Sequence, residues 1–98
     1  MASQIIVAGT GAAVQSTALN STKIRVTANA SAMYYAVGSN PTPGAGFANT
    51  EIIASSTTRY INMQGLGNKI AFLGVNQAGT ASVTECGTVS FSAIQNGI

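Results

Sequence analysis

Carboxylates, thiols and imidazoles set most of the chemistry a protein can perform, and this chain carries few of them. It has two glutamates, Glu51 and Glu85, one cysteine, Cys86, and no histidine or aspartate in 98 residues. General acid–base catalysis needs a donor and an acceptor within hydrogen-bond reach of the reacting group. Nothing in the sequence brings the two glutamates together. A cysteine nucleophile needs a neighbouring base, and Cys86 has no histidine to supply one. Zinc sites take three or four ligands from Cys, His and carboxylates, and three such residues exist in the entire chain. Gly9-Thr10-Gly11 lacks the third glycine and the following helix of a dinucleotide fingerprint, so it reads as a turn. The expectation is a protein that is not an enzyme, with no catalytic residue, no metal, no cofactor and no small-molecule substrate.

Composition sets the partner classes. Charged residues make up 6% of the chain, against roughly 25% for an ordinary soluble domain. The cations are Lys23, Arg25, Arg59 and Lys69, giving a formal charge of +2. They are scattered, whereas a nucleic-acid site wants clustered cations with stacking aromatics; no nucleic-acid partner is expected. The start of the chain lacks a basic region and a sufficient apolar run for a secretory signal. No stretch approaches the roughly 18 apolar residues of a membrane helix. The expectation is a protein made and used without export, with no membrane partner. Cys86 is unpaired and reads as a small buried hydrophobe. A surface of Ser, Thr, Asn, Gln and Ala offers little repulsion to close neighbours, which favours life packed against other copies or partners.

The elements that would carry contact residues are strands. Residues 23–27 alternate cleanly, with Ile24 and Val26 on one face and Lys23, Arg25 and Thr27 on the other, as in a half-exposed antiparallel strand. Residues 80–85 repeat that pattern. Residues 32–38 and 69–75 are apolar on both faces and predict strands covered on both sides. Residues 4–8, 50–54 and 57–63 add further strands, and residues 12–19 and 89–91 give weaker signals. Asn29-Ala30 predicts a hairpin turn between the strands on either side of it. Glycines 65 and 67 mark a turn where positive φ favours glycine. About eight short strands at ten-residue intervals, with no helical period, predict one all-β domain over residues 1–98. Its expected form is a small antiparallel β-sandwich, jelly-roll-like.

Contact chemistry concentrates in one place. Residues 39–48 form the longest loop, and Pro41, Pro43, Gly44 and Gly46 exclude regular structure through it. Prolines lower the entropy lost on docking, and Phe47 either folds back onto the core or supplies an apolar anchor; the termini, residues 1–8 and 93–98, are the rival contact. Asn40, Pro41, Pro43 and Phe47, with the adjacent aromatic pair Tyr34 and Tyr35, are therefore the candidate partner contacts. The same tyrosines offer a second reading as a carbohydrate platform, although such modules favour Trp and the chain has none.

Several stretches resemble small β-sandwich structural proteins of tailed bacteriophages. They are Met33-Tyr-Tyr-Ala-Val-Gly-Ser-Asn-Pro-Thr42, Ser56-Thr-Thr-Arg-Tyr-Ile-Asn62, Asn68-Lys-Ile-Ala-Phe-Leu73 and Gly79-Thr-Ala-Ser-Val-Thr-Glu85. The pattern spans residues 32–85, and its most distinctive pieces are 38–42 and 79–85. The resemblance implies a virion component, assembled in the host cytoplasm: a capsid cement or decoration protein on the outer head surface that holds neighbouring capsomers. It implies the major capsid protein and copies of itself as partners, with a trimer favoured by the threefold positions of a capsid lattice. A neck, tail or fibre-associated protein is the alternative within the same virion. The resemblance brings no catalytic residues.

Overall fold

The computed structural model describes residues 3–44 and 50–87. They form eight strands: β1 (Ser3–Ala8), β2 (Val14–Gln15), β3 (Lys23–Asn29), β4 (Met33–Gly38), β5 (Glu51–Ile53), β6 (Thr58–Asn62), β7 (Lys69–Gly74) and β8 (Gly79–Glu85). One sheet has the order β1-β8-β3-β6 and the other β2-β7-β4-β5. Every pairing is antiparallel, and four of them join first to last: β1 with β8, β2 with β7, β3 with β6 and β4 with β5. That is one long eight-stranded hairpin, rolled so that β3 also meets β8 and β4 meets β7. The architecture is a jelly-roll sandwich.

Alternation explains which side of each strand lies within. In the first sheet Ile6, Ala8, Ile24, Val26, Ala28, Ala81 and Val83 turn inward and are buried. Opposite them lie Met33, Tyr35, Ile53, Ile70 and Phe72. The Tyr35 and Phe72 rings meet at 6.5 Å between centroids, tilted by 42°. Each fully buried large side chain is worth about 1.5–3 kcal/mol, so Phe72, Ile24, Met33, Ile53 and Ile70 supply much of the driving force.

The hairpin predicted at Asn29-Ala30 is not there. β3 pairs with β6 and β8, while β4 pairs with β5 and β7. The link is an arch that carries the chain from one sheet to the other. Ala30 takes the left-handed conformation, φ 73°, and the Ser31 hydroxyl reaches the Gln77 and Ala78 carbonyls, at 3.2 and 3.1 Å, in the β7–β8 connection. Turn-forming residues mark both a hairpin and an arch, and local sequence does not separate them. The weak signal in residues 12–19 becomes the two-residue β2 and a non-strand continuation. There Ser16 exchanges bonds with Ile70: Ser16 N to the Ile70 carbonyl at 2.8 Å, and Ile70 N to Ser16 Oγ at 3.1 Å. The weak strand at residues 89–91 lies outside the described residues.

Gly67 shows why the β6–β7 turn needs glycine. Its φ is +128°, and a Cβ there would run into the backbone of Gly38 and Ser39. That close approach seats the turn against the start of the loop after β4.

Candidate functional site

Consecutive residues of a strand face opposite ways, and this divides the sequence candidates. Tyr35 points inward, is 5% exposed and accepts a hydrogen bond at its hydroxyl from Arg59 at 2.9 Å. Tyr34 points outward on the second sheet, half-buried, between Ile52 of β5 and Leu73 of β7 in register. The two rings therefore do not form one platform, and the adjacent pair gives no flat aromatic surface for a sugar.

The outward face of the second sheet is where the loop residues gather. Ala36 and Ala71 are direct partners and face away from the inter-sheet core, yet both are buried. Pro41, Pro43 and Gly44 are buried as well, while Asn40 is exposed. Gln15, opposite Ala71 on β2, donates from Nε2 to Asn40 Oδ1 at 2.8 Å and to the Pro41 carbonyl at 3.1 Å. The chain thus lays residues 39–44 back over the second face of its own sheet. Small side chains at Ala36 and Ala71 leave room for that cover. An apolar hollow of about 390 Å³ remains beside it, bounded by Ala12, Ala13, Pro41, Pro43 and Leu73.

The result is a compound surface: a partly open row of Ile52, Tyr34 and Leu73, with the proline segment pinned alongside. Ile52 is 51% exposed. Asn40, Pro41, Pro43 and Tyr34 come together here, and Tyr35 is withdrawn from it. Phe47 lies outside the described residues.

A second feature is a cleft of about 620 Å³ on the open side of the sandwich, lined by Tyr35, Val37, Thr50, Glu51, Ile61 and Leu66 among others. Arg59 of β6 reaches from the first sheet to the Tyr35 hydroxyl of the second. Its guanidinium lies 5.8 Å from the Tyr35 ring centre. The hydrogen bond to Tyr35 raises its pKa above the ordinary value, with a further charge contribution from Tyr35 and a smaller one from Glu51, against opposing desolvation. Glu85 is separate, in the first sheet, where it accepts from the Asn20 backbone at 2.7 Å. The glutamates thus lie in different sheets with different neighbours. Among the described residues no group of three or more His, Cys, Asp or Glu could hold a metal ion. Cys86, expected to be buried, is half-exposed, with its thiol 3.6 Å from the Thr84 carbonyl.

The outward face of the first sheet is the third surface. Thr80, Ser82 and Thr84 of β8 run beside Arg25 and Thr27 of β3, and Thr27 bonds Thr58 hydroxyl to hydroxyl at 2.9 Å. Lys23 Nζ sits 5.2 Å over the Tyr60 ring. At the far margin, on β1, Ile5 and Val7 are 72% and 66% exposed. Sequence reading missed this, because Ile5-Ile6-Val7-Ala8 is continuously apolar and does not tell which face is open.

These features define a small jelly-roll sandwich. Compared with known proteins, the chain matches no family description, no curated protein and no solved structure.

Proposed function

We propose that this chain is a structural protein of a bacteriophage virion, without enzymatic activity. In this reading it is a cement or decoration protein that sits on the outer head surface and bridges capsomers. The observation that carries the reading is the row Ile52–Tyr34–Leu73 beside a proline segment already held down by Gln15. A pre-ordered apolar surface loses little entropy on docking. A jelly roll with 6% charged residues can also lie close to its neighbours without strong repulsion. The sequence resemblance supplies the class of partner, the major capsid protein, together with further copies of this chain.

The test is retention of the purified chain on undecorated heads, read by sedimentation. The chain is expected to pellet with the heads. Ile52→Lys, which changes an exposed side chain, should keep its β-type circular dichroism and bind at least tenfold more weakly, the usual effect of truncating or charging a contact worth more than about 1.4 kcal/mol. No pelleting of the native chain overturns the reading, and unchanged binding by folded Ile52→Lys overturns the surface assignment. Binding to purified tails in place of heads would transfer the role to the neck or tail.

A further inference from the structure

Free sheet edges invite further pairing, and proteins blunt them with charge, proline, bulges or shortness. Among the described residues, three of the four sheet edges are blunted. β2 has two residues and β5 three. β6 carries a charge, Arg59, turned in to Tyr35, although its Tyr60 stays 59% exposed beside the Lys23 ammonium. β1 has none of these devices. Its six residues, Ser-Gln-Ile-Ile-Val-Ala, include no charge, proline or glycine. They pair with β8 without a bulge, from Ser3 opposite Thr84 to Ala8 opposite Gly79. Among the described residues nothing pairs with the other side of β1. It also carries the two most exposed large apolar side chains among the described residues, Ile5 and Val7.

We propose that β1 is a self-association edge, and that a second copy of this chain pairs with it antiparallel about a two-fold axis at Ile6. Three observations select a second copy. The strand is self-complementary in that register: Ile6 faces Ile6 of the other copy, and each Ile5 lies opposite a Val7. Side chains directly opposite across an antiparallel pair come within about 4.5–5.5 Å, so all four exposed apolar groups gain partners on the outward face, while inward residues stay inward. The strand is uncharged, so two copies meet without like charges opposed, whereas stacking the outward faces of two first sheets would bring Arg25 and the Lys23–Tyr60 pair against their own kind. Finally, each copy offers one such edge, so the contact closes at two. The joined sheet would have eight strands, β6-β3-β8-β1 continued by its two-fold mate.

The geometry thus favours two copies over the three that the resemblance implies. Five residue pairs bury less than the roughly 1,200–2,000 Å² of a standard stable interface. The dimer is accordingly weak and concentration-dependent in free solution, and gains strength when copies are held side by side on a common surface. The inference stands apart from the virion reading, since head retention and self-association are read by different assays and either can fail alone.

The experiment is sedimentation velocity of the full chain under reducing conditions, from micromolar to millimolar concentration, with hydrogen exchange measured at the same concentrations. The native chain should pass from monomer to dimer, and the β1 amides that face away from β8 should become protected as it does. Val7→Lys and, separately, Ile5→Lys change exposed side chains and should keep their circular dichroism while weakening the dimer at least tenfold. Ile5→Cys with Val7→Cys, in a Cys86→Ser background, should cross-link two copies on oxidation. A monomer throughout overturns the proposal, as does a dimer unaffected by both folded lysine variants. Full protection of those β1 amides in the monomer also overturns it, because the edge would then be covered within one copy. So does a dimer abolished by removing residues 88–98 while those amides stay unprotected.

Discussion

Two side chains show how single residues hold this sandwich together. Ser16 takes over where β2 stops, its hydroxyl accepting from Ile70 N and its own N–H donating to the Ile70 carbonyl. Ser16 is buried, so Ser16→Ala leaves the Ile70 N–H without a partner away from water. A loss of about 1–3 kcal/mol in urea unfolding is expected, and a change within error would show that the site admits water. Arg59 is the opposite case, a largely solvated bridge between sheets. Arg59→Met should cost less than about 1 kcal/mol, because solvent screens such contacts. Its raised pKa gives a clear sign. A group whose folded pKa lies above the unfolded value contributes below that unfolded value and loses the contribution only as pH rises through the folded one. For a guanidinium both lie beyond the range where the domain would be studied, so native and Arg59→Met stabilities should differ by a constant amount between about pH 5 and pH 9. A difference that varies with pH would mean the bridge acts through another group. Neither role was legible in the sequence. Ser16 sat in a stretch with weak alternation, and the Arg59 contact joins residues 24 apart in the chain.

Among the elements, the strands were legible and their partners were not. Period-two burial put Ile24, Val26, Ala81 and Val83 inside, as their alternation demanded. The two-sided apolar runs became β4 and β7, the interior strands of the second sheet. Alternation carries no label for which sheet a strand joins, so the β3–β4 arch read as a hairpin. The proline loop was legible as irregular chain, but its fold-back onto Ala36 and Ala71 was not. The available signal was two alanines at outward positions, next to Tyr34 on β4 and Leu73 on β7. Gln15 is the clasp for that loop. Gln15→Ala should lower stability by about 1 kcal/mol, the net worth of ordinary hydrogen bonds, and should speed amide exchange in residues 39–44 ahead of β4 and β7. Equal exchange in both proteins would show that packing of Pro41 and Pro43 alone holds the cover.

For the whole molecule, a rolled hairpin joins the first strand to the last, so β1 and β8 sit side by side although they bracket the other six strands. Among the described residues, two of the apolar surfaces differ in character. One is the pre-ordered row on the second sheet, proposed above to meet a foreign partner. The other is a plain strand edge suited to a like one. The function proposed for these surfaces is contact. The most direct test is to purify intact virions from cells producing this chain and count it against the major capsid protein by quantitative mass spectrometry, with DNA-filled heads separated from tails. The expected result is enrichment in the head fraction, in a fixed simple ratio to the major capsid protein that survives repeated gradient purification. Loss of the chain during purification, or its recovery with tails at a few copies per particle, would contradict the assignment to the head surface.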